Sequence, residues 1–239
     1  RQLLVLTATG MAATASATDP GSLPNTKHLQ WQDDIASRMV AGADRFLLTQ
    51  IEASVDKRAE FWERDFSSAT AYETSLEPNR KRLAHILGVR QSRRRVEALS
   101  LVGTTAQSAV VAETERIRIR AVRWPVVRGI HGAGLLLTPR TRRPIANVVA
   151  IPDASQTPEA ICGLVPGVDS ESQFPRRLAE AGCRVVVPVL IDRKTKPRNG
   201  RAELTTREYL YRGAFELGRH LIGYEVQKLL AAVDWFEHE

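Results

Sequence analysis

The order of sequence patterns predicts an α/β fold: a helical extension first, then an antiparallel start to a sheet, then parallel strands joined by crossover helices. Three observations carry that expectation. Apolar and polar residues alternate with period two through SAVVAET and ERIRIRAVRW. Two later stretches, IANVVAI and RVVVPVL, are apolar almost throughout, as strands covered on both faces must be. Between and around them lie segments whose apolar residues recur at helical spacing.

The chain begins with Arg1, and LLVLTATGMAATASA behind it ends in Ala15-Ser16-Ala17, the small-x-small form of a signal-peptidase site. Residues 1–17 therefore read as a clipped signal peptide, which implies a secreted or periplasmic protein; a plain N-terminal helix is the competing reading. No segment reaches the ~18 continuous apolar residues of a membrane span, so no membrane partner is expected. Residues 18–105 form the expected helical extension and 106–239 the sheet domain. Within the extension, Leu47, Ile51, Val55, Trp62 and Phe66 recur four or seven apart between Asp33 and Phe66, which predicts a helix with one buried face. A second helix is expected over Pro78–Leu87, with proline in its first turn and Gly88 at its end.

Past Arg93-Arg94-Arg95 the period changes to two. Ile117, Ile119 and Val122 are expected on one face of a strand and Arg116, Arg118 and Arg120 on the other, with Gly134–Pro139 as a further antiparallel strand beyond the turn RGIHGAG. An arginine face can track phosphates, but stacking aromatics are nearly absent, Trp124 alone lying nearby. The net charge of +7 is also spread along the chain. A solvated sheet face and no nucleic-acid partner follow.

Ile145–Ile151 and Arg184–Leu190 are the expected parallel pair, the second weakened at Pro188, which cannot donate a ladder bond. The crossover helix between them should turn Phe174, Leu178 and Ala181 inward and stop at Gly182. From Arg207 to Glu239 one long helical run is expected, its stripe Ile222, Val226, Leu229, Leu230, Val233 and Phe236 among the best-buried in the fold.

Ligands of open parallel sheets bind beyond the C-terminal strand ends. Two long polar loops occupy that position, one after each apolar strand, and they carry the acids Asp153, Asp169, Asp192 and Glu203, each read first as a turn former. Cys162 and Cys183 read as separate buried thiols, with no disulfide and no zinc signature, so neither metal nor cofactor is expected. HGAG at His131 reads as a hairpin turn, against an oxyanion loop. His220 reads as a helix-end residue packed near Tyr224, and Tyr224, Glu225 and Asp234 as helix packing and solvation.

The string IPDASQTPE, the crossover QFPRRLAEAGCRVVVPVLIDR and the segment AFELGRHLIGYEVQKLLAAVDWF resemble the secreted bacterial α/β-hydrolases related to dienelactone hydrolases, acetyl xylan esterases and prolyl-oligopeptidase-type catalytic domains. The resemblance runs from about Ser108 to Glu239 and rests on scaffold segments. It implies a partial α/β-hydrolase sheet and a Ser-His-Asp enzyme acting on a small-molecule or carbohydrate ester. The serine of such an enzyme sits in a G-x-S-x-G elbow on the strand after the helix Ile222–Phe236. These residues contain no G-x-S-x-G, and Ser170 and Ser172 lack the following glycine. Nucleophile, acid and histidine are therefore expected beyond Glu239, which makes this an inactive N-terminal portion. The resemblance further implies a backbone oxyanion donor at Asp153 or Ala154. The alternative function is a non-enzymatic α/β module that binds an anionic ligand or polymer through the arginine-rich strands.

Overall fold

The computed structural model describes residue 23 and residues 25–140, 142–198, 200 and 202–239, and the signal-like run 1–17 lies outside these described residues. The chain forms two compact units that divide between Trp62 and Glu63. In the first, Asp34 starts helix α1 (Ile35–Lys57) by accepting the Ala36 and Ser37 N–H groups at 3.1 and 3.3 Å, and a 3-10 turn, Arg58–Phe61, follows. The expected buried face is absent: α1 buries none of its residues, and Leu47, Ile51 and Val55 are all exposed. Met39, Val40, Phe46 and Leu48 spread apolar surface around the helix, and the described residues of its own unit hold no second long element to cover a stripe.

In the second unit, Ser68 caps α2 (Ala69–Ile86) through its Oγ, which accepts the Ala71 N–H at 3.0 Å. The helix thus begins well before Pro78, which lies inside it. Pro78 is exposed, so water can take the carbonyl its missing N–H leaves open. Gly88, at φ 76°, ends the helix as expected.

The sheet that follows is built from β1 (Ser100–Leu101), β2 (Val110–Glu113), β3 (Ile117–Val127), β4 (Ile130–Pro139), β5 (Asn147–Val149) and β6 (Arg184–Pro188). β3 and β4 form a hairpin about Arg128-Gly129, with Ile119 opposite Leu137 and Trp124 opposite Gly132. β1 and β2 share the outer edge of β3, so the order is β1-β3-β4-β6-β5 with β2 also beside β3. β4 runs antiparallel to β6, whereas β5 and β6 are parallel neighbours, Val148 lying opposite Val185. The predicted antiparallel start and parallel continuation are both present. The two apolar strands are shorter than expected, because Ile145 and Ile151 fall outside β5 and are exposed, and β6 stops at Pro188.

Helices α3 (Pro158–Ile161) and α4 (Phe174–Glu180) follow β5, and β6 leads to a small hairpin, β7 (Thr195–Arg198) with β8 (Ala202–Thr205). Two helices end the chain, α5 (Thr206–Glu216) and α6 (Leu221–His238). The single long run expected here breaks at Gly218, φ 67°, where the backbone turns left-handed, and His220 restarts the helix. α4 packs Leu178 against the core as expected, but it is Pro175 and Ala179 that are buried, and Phe174 and Ala181 are exposed.

Two cores flank the sheet. Ile117, Ile119, Leu135, Leu137, Val185 and Val187 pack with Ile161, Cys162 and Ala179 on one side. Val122, Trp124, Val126, Leu136 and Val186 pack with Ala231, Ala232 and Trp235 of α6 on the other. Val122 therefore lies on the face opposite Ile117 and Ile119, since a strand reverses side at every residue. α6 corrects the sequence reading most: it turns Leu221, Gln227, Ala231, Ala232 and Trp235 inward, while Leu230 and Val233 of the expected stripe stay exposed. Two consecutive alanines let the helix approach the sheet closely, which a leucine stripe would hold off. Trp124 closes this core, fully buried and donating its Nε1–H to the Lys228 carbonyl at 3.1 Å.

The Trp124 ring lies over Gly132, where an added Cβ would come within 2.3 Å of ring atom Cε2. Gly132→Ala is expected to cost about 1–3 kcal/mol through overpacking. The melting midpoint, followed by circular dichroism, should fall by several degrees.

Candidate functional site

The C-terminal ends of β5 and β6 open into a cleft of about 410 Å³. One wall is the turn after β5, Ala154 to Glu159; the other is the stretch after β6, with Val189, Leu190, Asp192, Arg193 and Lys194. Adjacent parallel strands place both loops at one edge of the sheet, which is where such folds bind ligands.

The turn after β5 is held by its own side chains. The Asp153 N–H donates to Gln156 Oε1 at 3.2 Å, the Ala154 N–H donates to the Asp153 carboxylate, and the Gln156 N–H returns to the Asp153 carbonyl at 2.9 Å. Thr157 then caps α3 by accepting the Ala160 N–H at 3.2 Å, with Pro158 at the first helical position. Of the two expected oxyanion donors, Ala154 lines the cleft. Both N–H groups meet side-chain oxygens that an incoming anion could displace.

α6 positions the opposite wall. The Glu225 carboxylate is buried, accepts the Ile191 N–H at 2.9 Å and pairs with Arg207 of α5. One turn along, Lys228 donates its Nζ to the Val189 carbonyl. Two side chains of α6 thus anchor two residues of the cleft loop, and the Arg207 N–H adds a 3.2 Å bond to the Asp192 carbonyl. Asp192 accepts the Lys194 N–H at 2.9 Å, and that bond holds its carboxyl below the usual range. Glu225 is more than the solvated helix residue the sequence predicted: it joins α6, α5 and the cleft loop.

The other predicted residues lie elsewhere. Asp169 begins a 3-10 turn at Ser170–Ser172, and Glu203 is exposed on β8; neither lines the cleft. His131 is exposed on β4 opposite Pro125, so HGAG lies within the strand and the turn the sequence placed there is Arg128-Gly129 just before it. His220 caps α6, its Nδ1 accepting the Ile222 N–H at 3.2 Å, and its ring meets Tyr211 at 5.5 Å rather than Tyr224. Asp234 forms a two-bond pair with Arg93 at 2.6 and 2.9 Å. Cys162 and Cys183 are free and buried, and burial pushes the Cys162 thiol up to about 12, so it stays protonated and inert at neutral pH. Among the described residues no cluster of His, Cys, Asp or Glu is set to hold a metal, and no helix is long and apolar enough to cross a membrane.

Sequence reading missed the β7–β8 hairpin and the cationic rim Arg193 and Lys194, though it expected helix from Arg207 onward. One signal was available: Thr205 and Glu208 have the T-x-x-E spacing of a helix start, and Thr205 Oγ1 accepts the Glu208 N–H at 3.0 Å.

No family model matches the chain, and no curated protein matches it. Among solved structures the fold is similar to that of a Bacteroides fragilis protein provisionally named an acetyl xylan esterase, with a TM-score of 0.50 and 14% identity over 75% of this chain and 46% of that one. The chain spans about half the length of that protein. At this identity the likeness concerns the fold: a mixed sheet with flanking helices that resembles part of an α/β-hydrolase.

Glu225→Ala would leave Arg207 and the Ile191 N–H without their acceptor, and breaking a buried ion pair costs about 3–5 kcal/mol. Denaturant unfolding should register that loss, and the Ile191 amide should exchange faster with solvent. Glu225→Gln, which can still accept from Ile191, should lose less. Lys228 offers a second test, because burial lowers its pKa from 10.5, only partly offset by Glu225. The unfolded chain then binds the extra proton between the lowered value and 10.5, so this lysine's contribution to stability rises with pH through that window. Lys228→Met should flatten the corresponding rise in a pH series of unfolding midpoints.

Proposed function

We propose that this sheet is the leading part of a carboxylic-ester hydrolase of the acetyl-ester class, exported from the cell, whose serine, acid and histidine lie outside these residues. The observation that carries the reading is the parallel β5–β6 pair with a cleft at its C-terminal edge, and backbone N–H groups in the loop after β5 whose present acceptors are side-chain oxygens. In α/β-hydrolases one oxyanion donor comes from that loop and the other from the residue after the nucleophile. The likeness to a protein named for acetyl xylan points toward an acetylated carbohydrate as the substrate class.

In the reaction a serine oxygen adds to the ester carbonyl carbon, its proton passes to histidine, and the carbonyl oxygen takes the negative charge. Ala154 N–H is the donor this chain would supply, with the Asp153 carboxylate turning aside as the oxyanion arrives. Asp153 N–H is the second candidate. Arg193 and Lys194 rim the opposite wall, where they can meet the sugar hydroxyls or an acidic group of the alcohol portion. Buried Glu225 and half-buried Lys228 hold that wall in place without touching the cleft opening.

Two measurements test the proposal. The 239-residue chain should show no turnover of aryl acetates above background, whereas the reading frame extended past Glu239 should contain, within roughly 20 residues, a short apolar strand and a glycine-flanked serine. Expressed with that extension, the protein should hydrolyse acetyl esters and lose the activity on Ser→Ala at that serine. Serine-dependent turnover by the shorter chain, or an extension without such a turn, would overturn it.

A further inference from the structure

The arginines singled out on β3 are arranged as a surface of their own. Arg118 and Arg120 alternate with the buried Ile117 and Ile119 and point to the opposite side of the sheet, and Arg116 continues the row just before the strand. Residues at alternate positions are ~7 Å apart along a strand. Across the ladder Thr138 is paired with Arg118, and the Arg140 N–H bonds to the Arg116 carbonyl at 2.8 Å, so Thr138 and Arg140 share that face. Further along the same face α6 covers Val122, Trp124 and Leu136; at the arginine end, Arg116 and Arg140 are exposed and Arg118 and Arg120 half-exposed.

One carboxylate already sits on this surface and displays what it recognises. Glu113 of β2 receives two bonds from Arg118, at 2.7 and 3.1 Å, and lies 3.0 Å from Arg140. These guanidiniums hold its carboxyl below the usual range, with the bond from Arg118 the largest cause. Paired N–H donors matched to one carboxylate are the geometry in which arginine outperforms lysine. Two of these four arginines pair with Glu113. Among the described residues Arg120 hydrogen-bonds to Thr138, at 3.5 Å, and no carboxylate pairs with Arg116.

We propose that the face formed by Arg116, Arg118, Arg120 and Arg140 binds a linear carboxylate-bearing polysaccharide, its carboxylates taking the places beside the one Glu113 fills. A row of guanidiniums along one strand, with Arg140 beside it, suits an extended chain that carries its charges at intervals. Single-stranded nucleic acid suits it less, because stacking aromatics supply much of that affinity and Trp124, the aromatic of β3, is fully buried. The choice of a glycan over other carboxylated polymers rests on the carbohydrate-ester reading above. The recognition of carboxylate does not.

Binding of the 239-residue chain to polygalacturonate, to uncharged dextran and to a single-stranded DNA oligonucleotide, measured calorimetrically over a salt series, tests the proposal without any demand on hydrolysis. Polygalacturonate should bind, dextran should not, and DNA should bind more weakly at equal charge. Arg116→Ala with Arg120→Ala, which leaves the Glu113 pairs intact, should weaken polygalacturonate binding about tenfold and lower the slope of log K against log salt by about 1 per arginine. Arg123→Ala with Arg128→Ala removes the same charge from the other end of β3 and should change binding little. Glu113→Gln should tighten binding more than Glu115→Gln, since it frees two arginines at once. Equal losses from the two arginine pairs, tighter binding to DNA, or weaker binding on Glu113→Gln would each overturn the assignment. Failure of hydrolysis in the extended protein would leave these outcomes unchanged.

Discussion

β6 constrains the rest of the second unit. Val185 and Val187 enter one core and Val186 the other, so this strand is stable only with helices on both faces and a partner at each edge. β4 supplies one edge and β5 the other. Close approach is built into the first pairing: at Gly134 an added Cβ would lie 2.2 Å from the Val187 carbonyl oxygen. The parallel partner then fixes where the cleft must be, because two parallel neighbours end at the same edge and their loops face each other. Hydrophobic burial at the centre of the sheet thereby decides the location of polar residues at its rim.

α6 extends that control outward. Its small residues Ala231 and Ala232 allow it to lie against Val186 and Trp124, and from that position Glu225 and Lys228 reach the loop after β6. An apolar side chain at either place would leave backbone groups of the loop to be satisfied by water. The buried carboxylate is favourable here because it is fully engaged, by an amide N–H on one oxygen and by Arg207 on the other. The same pair ties α5 to the cleft, so the insertion between β6 and α6 cannot drift independently of the wall it borders.

Much of this architecture was legible from residues 145 to 190, where unbroken apolar runs with a helix between them admit few alternatives to adjacent parallel strands. The helices were harder. In α6 apolar residues occupy both sides of the cylinder, and periodicity selected Ile222, Val226, Leu229 and Val233, whereas packing distance selected Gln227, Ala231, Ala232 and Trp235. Gln227 is buried because its amide nitrogen donates to the Gln91 carbonyl, a partner 136 positions away that no local pattern can reveal. The same limit applied to the candidate site. Asp153 and Ala154 follow directly from a strand end, and Ala154 lies in the cleft wall, whereas Glu225 meets the cleft only through the loop it holds.

The arginine row and the cleft divide the sheet between two chemistries. At the cleft edge, cationic Arg193 and Lys194 stand near Glu159 and Asp192, so the local charge is balanced and orientation must come from shape and backbone donors. At the other end of β3 Arg118 and Arg140 pair with Glu113 while Arg116 and Arg120 lie beside them, and on the proposal above charge itself would be the recognition element. If both proposals hold, a polymer held by its charges on the second surface would be retained there while its neutral ester groups entered the first. Retention of that kind weakens with salt, because exposed ion pairs are screened beyond ~10 Å at ordinary ionic strength. Ester chemistry in a sheltered cleft would not share that dependence, so the two surfaces should respond separately to the same change in solution.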